Sequence, residues 1–275
     1  MKQILLICVA WLGTAELCHA AAYDDFARGI SANNVNDSDQ AIVSFTAAIE
    51  ASDLSKALLP VAYRGRGEAY LSEQKCDLAL ADLDASLKLR PGDLTTVELH
   101  VDAATCLEKL DVALAEMSAL NGKADSEIYW KRARLYFTAG NYRAAVDDLA
   151  AYVGRRPKYA YGVLWLEMAR LRGGMLDPKV AARDIDDFDS DDWPAPLLAL
   201  YAGKAKEEDI SSAVARGKAD GRVGRECEAN YYLAEWRLAY ADTAGARPLL
   251  QDAAAHCPPR FIEAAQARYE LRKLP

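Results

Sequence analysis

Ala79, Leu83, Ser86 and Pro91 stand at steps of four, three and five residues, and the same steps recur at Ala145, Leu149, Tyr152, Pro157 and at Ala246, Leu250, Ala253, Pro258. Looser copies run Ala41, Phe45, Ala48, Asp53 and Ala113, Met117, Leu120, Asp125. In a chain this rich in alanine one match means little. Five matches, four of them spaced by 38, 34 and 32 residues, mean a repeat. Steps of three and four put side chains on one face of a helix, and a proline ends it. The gap from Ala145 to Ala246 is close to three periods and leaves room for two diverged hairpins.

Upstream of these helices run others with aromatic anchors: Tyr63, Gly67, Tyr70, and Tyr129, Ala133, Tyr136 before Gly140-Asn141-Tyr142. In the last pair, Ala229, Leu233, Trp236 and Tyr240 form one stripe. Asp242 and Thr243 break the pattern and offer an N-cap. A second stripe, Ala246, Leu249, Leu250, Ala253, Ala254 and Cys257, is stopped by Pro258-Pro259. The connection is too short for anything but an antiparallel hairpin. Pro248 removes an early backbone hydrogen bond and is expected to delay or kink the second helix. Small residues such as Gly67 and Ala79 let paired helices approach, while Tyr70 and Leu83 fill the space between neighbours.

The segment "YRGRGEAYLSEQKCDLALADLDASLKLRP" and its copies resemble the tetratricopeptide repeat (TPR), a helix–turn–helix unit of about 34 residues. One hairpin cannot bury both faces, so units stack into a solenoid with a concave side. The expected fold is all-α: a TPR-like solenoid over 23–275 with a C-terminal capping helix. Units are expected near 22–55, 60–93, 94–125 and 126–159, with diverged hairpins over 160–226. The last unit is expected at 227–260 and the capping helix at 261–273.

Beyond residue 160, "LWLEMARLRGG", "DDWPAPLLALYAGKAKEEDISSAV", "NYYLAEWRLAYADTAGARPLLQDAA" and "FIEAAQARYELRKL" together resemble the C-terminal half of the NlpI family, periplasmic TPR lipoproteins of Gram-negative bacteria. The resemblance implies a non-enzymatic, dimeric protein that presents peptidoglycan hydrolases to a processing protease and scaffolds cell-wall enzymes. This chain lacks the lipid-anchor cysteine and adds a cysteine at each end of its last hairpin, so the anchor is not carried over and the partners stay open.

The first residues, "MKQILLICVAWLGTAELCHAAAYDD", give an early lysine, an apolar run and then small residues, the order of a secretory signal peptide over 1–22. Cleavage is expected before Ala21 or Tyr23. The apolar run is short for a bilayer span, which needs about 20 residues. Neither Cys8 nor Cys18 sits in a lipoprotein motif, so the expected mature form has no membrane anchor. Its four cysteines, Cys76, Cys106, Cys227 and Cys257, allow three pairings in an oxidising compartment. Folding the last hairpin back sets Cys227 beside Cys257. Cys76 and Cys106 lie at the turn ends of adjacent units, where a bridge also fits; buried free thiols are the simpler reading. The bridge at Cys227 would staple the last full hairpin, where a solenoid has a neighbour on one side only.

A net charge of −8 argues against nucleic acid and against an anionic lipid surface. No G-x-S-x-G, H-E-x-x-H, phosphate-binding glycine loop or C-x-x-C occurs, and only His100 and His256 remain past the leader. No catalytic residue, metal site or cofactor is therefore expected. "DIDDFDSDDW", residues 184–193, alternates Asp187, Asp189 and Asp191 but lacks the glycine and closing glutamate of a calcium loop. It reads as a solvated acidic turn capping a helix from Pro194.

In TPR folds the first helix of each unit lines the groove, and projecting that face gives Arg64, Glu68, Glu98, Asp102, Trp130, Arg134 and Phe137. Mixed charge beside aromatics suits a protein or peptide partner. The simpler reading makes these ordinary solvated residues, with Trp130 packed between helices. An enzyme or small-ligand receptor using the groove, and a structural subunit that only self-associates, are the other classes left open.

Overall fold

The structure, a computed structural model, describes residues 21–51, 53–120, 126–189, 192–258 and 261–275. Most of the expected leader, residues 1–20, lies outside the described residues. Among the described residues there is no strand, and no helix is long and apolar enough to cross a membrane. The chain divides into two compact units, Met1–Ala119 and Leu120–Pro275.

The first unit holds α1 (21–34), α2 (Ser38–Glu50), α3 (Leu59–Ser72), α4 (Cys76–Leu89), α5 (Leu94–Cys106) and α6 (Leu110–Ala119). The second holds α7 (Ser126–Thr138), α8 (Tyr142–Arg155), α9 (Ala160–Arg172), α10 (Pro178–Asp184), α11 (Ala195–Tyr201), α12 (Glu207–Arg216), α13 (Arg222–Ala239), α14 (Thr243–His256) and α15 (Ile262–Lys273). Packing within each unit runs mainly between chain neighbours. The repeat alanines Ala41, Ala79, Ala113, Ala145 and Ala246 are fully buried. So are the residues four further on, Phe45, Leu83, Met117, Leu149 and Leu250. Close approach explains the small residues opposite: a Cβ on Gly67 would lie 3.0 Å from Leu83 Cγ, and one on Gly65 only 2.4 Å from Phe45 Cζ.

Two further repeats are set by conformation and charge. A residue in the left-handed region closes the first helix of most hairpins: Asn36 (φ 58°), Gln74 (59°), Glu108 (60°), Gly140 (77°), Gly174 (67°) and Ala241 (61°). Behind each, the next N–H reaches back five residues, as in Lys75 to the Tyr70 carbonyl (2.9 Å) and Asn141 to Tyr136 (2.8 Å). This is the Schellman closure, which satisfies the last carbonyls of a helix. The following residue often caps the second helix: Asp242 accepts from the Gly245 N–H at 2.9 Å. Thus α14 starts at Thr243 with Pro248 inside it, and the expected delay does not occur.

Three consecutive hairpins are also clamped by a basic side chain and a carboxylate 16 residues apart. Arg66 donates to both oxygens of Asp82 (2.7 and 2.8 Å), His100 meets Glu116 (2.9 Å), and Arg132 donates to both oxygens of Asp148 (2.7 and 2.6 Å). Each carboxylate lies three residues after a repeat alanine. In the last hairpin the corresponding positions are Leu233 and Leu249, both apolar and both part of the second unit's core cluster.

The second unit departs from the simple stripe. Tyr231, Tyr232, Ala234 and Glu235 of α13 are fully buried, whereas Tyr240, placed on the stripe by its spacing, is exposed. The reason is that α9, α11, α12, α14 and α15 all pack on α13, so several of its faces are interior. Helix α15 does more than end the array: it reaches back to α7, where Thr138 donates to Gln266 (3.1 Å) and Lys273 donates to the Thr138 carbonyl (2.7 Å). Arg172 fixes it further, at 3.4 Å from both Glu235 and Glu270 and 2.8 Å from the Tyr142 hydroxyl.

Candidate functional site

Of the first unit's predicted residues, Arg64 and Glu68 lie on α3, and Glu98 and Asp102 on α5, helices that touch each other. Arg64 is half-buried and donates to Asp93 at 3.1 Å. Glu68 is exposed and accepts from Asn33 at 3.4 Å. Glu98 is half-buried and Asp102 exposed.

In the second unit the prediction splits. Trp130 and Arg134 on α7 are half-buried, but Phe137 is fully buried and cannot meet a partner. Its ring packs edge-on against Tyr142 (centroids 5.2 Å) and Trp165 (5.4 Å). A seven-residue spacing does place Trp130 and Phe137 on one face. Trp165 of α9 packs on both, but Tyr142 of α8 also closes over Phe137, while Trp130 stays half-buried.

Trp130 borders a cleft of about 250 Å³, lined also by Tyr159, Tyr161, Trp165, Tyr232 and Phe261, with Ile262 and two carboxylates, Glu228 and Glu263. Trp130 stands edge-on to Tyr159 (6.0 Å) and Trp165 (5.7 Å) and tilted against Tyr152 (5.2 Å), contacts that hold its ring while it stays half-buried. Behind the rings runs a polar chain: Trp165 donates to the Tyr232 hydroxyl (2.9 Å), which donates to Glu263 (3.0 Å). Glu228 accepts from the Tyr161 hydroxyl at both oxygens (3.0 and 2.9 Å) and from the indole N–H of Trp193.

Burial raises the Glu228 carboxyl to about 7, against the pull of its Trp193 and Tyr161 donors and with a further push from Glu263. Burial also raises Glu263, partly offset by its own backbone N–H, Tyr232 and the charge of Arg134. The Tyr161 hydroxyl is pushed up by burial and by Glu228. The cleft is thus an aromatic cup with two reluctantly ionised carboxylates in its wall.

Glu228, Glu263, Tyr159, Tyr161 and Tyr232 were missed as site residues. The available signal was two glutamates and two tyrosines, Glu228, Tyr231, Tyr232 and Glu235, on the face of α13 away from its apolar stripe. The acidic turn also differs from expectation. Helix α11 has Pro194 at its N-cap and no side-chain cap bond, while Asp186 pairs with Lys204 (2.9 Å) and Trp193 serves Glu228. Asp191 lies outside the described residues. Among the described residues no three His, Cys, Asp or Glu are grouped to hold a metal ion.

Both expected cysteine pairs stand at disulfide distance, Cys76 with Cys106 (Cα–Cα 6.1 Å) and Cys227 with Cys257 (4.9 Å). Cys227 precedes Glu228, so the second bridge pins α14 to the turn of α13 that carries the cleft carboxylate.

Helical hairpins closed by left-handed turns, packed on small residues and stacked on chain neighbours, define the TPR fold. The chain is similar in structure to a tetratricopeptide repeat protein from Parabacteroides merdae, with 16% identity and a TM-score of 0.63 over 91% of this chain and 98% of that one. It is also similar to MamA protein, at 14% identity and a TM-score of 0.51 over 72% of this chain and 97% of that one. At these identities the likeness is one of fold. No protein-family model matches the sequence, and no curated protein matches it.

Proposed function

We propose that this chain is an exported, non-enzymatic TPR adaptor that seats a partner protein at the cleft beside Trp130. The observation that carries this reading is the cleft itself: fixed aromatic rings around an accessible cup are the usual anchor pocket of a protein interface. Two cysteine pairs at disulfide distance fit an oxidising compartment such as a bacterial periplasm, reached through the leader at 1–22. The NlpI-like segments suggest cell-wall hydrolases or their processing protease as partners, and a homodimer without a lipid anchor as the working form. For the first unit, taken by itself, Arg64, Glu68, Glu98 and Asp102 on α3 and α5 are proposed as charged contacts to a protein partner.

The test is a photo-crosslinking residue placed at Tyr159, on the cleft, or at exposed Val43 or Leu78, in cells producing the protein. The reading expects one partner captured from Tyr159 and not from the two control positions. Capture only at the controls would refute it. The paired carboxylates are the one feature that favours an enzyme instead. Release of reducing ends from peptidoglycan by the purified protein, lost in Glu228→Gln, would establish that second reading.

A further inference from the structure

We infer that the cleft of the second unit takes an arginine side chain of the partner, its guanidinium seated among Trp130, Tyr159, Glu228 and Glu263. The inference deepens the adaptor reading and rests on it. Of the aromatic side chains that line this volume, Trp130, Tyr159, Tyr161 and Phe261 are not fully buried, and aromatic faces attract a cation. The charged groups lining the cleft are Glu228 and Glu263, both carboxylates. Glu228 accepts three hydrogen bonds of the roughly four a carboxylate can take, leaving capacity on Oε1. Glu263 accepts from the Tyr232 hydroxyl on Oε1 and from its own backbone N–H.

An apolar side chain would suit the rings but would bury the carboxylates more deeply, with Arg134 acting on Glu263 and, among the described residues, no counter-charge acting on Glu228. A lysine would supply the charge. Only a guanidinium also lies flat on an indole or phenol and offers parallel donors to carboxylate oxygens. Entry of a cation favours the ionised forms of Glu228 and Glu263, so binding releases protons. Glu228 is faced by Tyr159 and Tyr161 at α9, Trp193 before α11, Tyr232 on its own helix and Glu263 on α15. Arg134 acts on Glu263 from α7. With Glu228 titrating at about 7, binding tightens as pH rises through neutrality.

The probe is N-acetyl-arginine amide, with N-acetyl-citrulline amide as its uncharged isostere, titrated into the full protein and followed by the indole N–H resonances and tryptophan fluorescence. The arginine probe is expected to shift Trp130 and Trp165, to saturate at millimolar concentration, and to bind at least about tenfold tighter than citrulline, a typical worth for a desolvated cation–π contact with a carboxylate partner. The preference is expected to narrow below neutral pH and to vanish in Glu228→Gln. Glu263→Gln serves as the second variant should the first not fold. Equal binding of the two probes, shifts remote from Trp130, or a preference kept in both variants overturns the proposal. If Tyr159 crosslinks a partner while the probes bind alike, the arginine pocket falls and the adaptor stands. If arginine binds but nothing crosslinks at Tyr159, the adaptor reading has failed and the partner's arginine with it.

Discussion

Replacing Glu228 by glutamine tests what the cleft costs the fold. The carboxyl is raised from an ordinary 4.5 to about 7, first by burial. A carboxyl raised on folding lends its stability below the unfolded pKa, and that stability is lost as pH rises through the folded one. At 1.36 kcal/mol per pH unit, the ionised carboxylate costs the native state roughly 3 kcal/mol at about pH 8 and about 1 kcal/mol at about pH 5. Glutamine can still accept from Tyr161 and Trp193 but carries no charge to desolvate. Urea denaturation of wild type and Glu228→Gln at both pH values is therefore expected to show the variant more stable by about 1 to 3 kcal/mol at the higher pH. Near pH 5 the advantage should shrink to about 1 kcal/mol or less. Burial likewise raises Glu167 to about 7, so the wild-type second unit should itself weaken between these pH values. A variant less stable than wild type by the same amount at both would refute the reasoning, since it would mean Glu228 is held as a well-solvated structural anion.

The remaining predictions concern the frame. Asp148→Ala leaves Arg132, with its side chain only 8% exposed, without its bidentate partner and should cost about 3 to 5 kcal/mol in chemical denaturation; a loss under about 1 kcal/mol would mean the clamp is replaceable by water. Removing the Cys227–Cys257 bridge, which spans 30 residues, should lower stability by roughly 3.5 kcal/mol in the chain-entropy model. Calorimetry with and without reductant on the double serine variant checks it, and an unchanged Tm would show the pair unbridged. Ala241→Gly, at φ 61°, should raise stability by about 0.5 to 1 kcal/mol, because glycine alone enters that region without steric cost; a lower Tm would show that the turn is not the strain it looks.

The hairpins were legible because their packing needs particular side chains at fixed steps. Ala79 and Leu83 cannot be much larger or smaller, so the pattern survives in the sequence. The turns were illegible for the opposite reason. A left-handed residue is set by backbone closure, and Asn36, Gln74, Glu108 and Ala241 meet it without being glycine. The clamps look like surface charge until the helices are paired, although Asp82, Glu116 and Asp148 recur at the repeat's own 34 and 32 residues. Phe137 was misplaced because helical projection gives one outward face. A helix in the second unit has neighbours on several, and nothing in the sequence of α15 says that it returns to α7.

The cleft forms where the repeat is weakest, and the two facts are connected. Regular hairpins pair two full-length helices; α10 and α11 have only seven residues each, and α11 packs on α9, α12 and α13. Between them Trp193 packs partly buried against the core and donates its indole N–H to Glu228. Leu233 and Leu249 stand at the clamp positions of the last hairpin, and the buried carboxylates of α13, Glu228 and Glu235, meet Tyr161, Trp193 and Arg172 from other elements. One turn of α13 therefore carries a cysteine that fixes it and a glutamate that destabilises it, side by side at Cys227 and Glu228. A bridge worth roughly 3.5 kcal/mol beside a buried carboxylate costing roughly 3 is the arrangement expected where an unfavourable charge is kept for binding and the fold is braced to hold it.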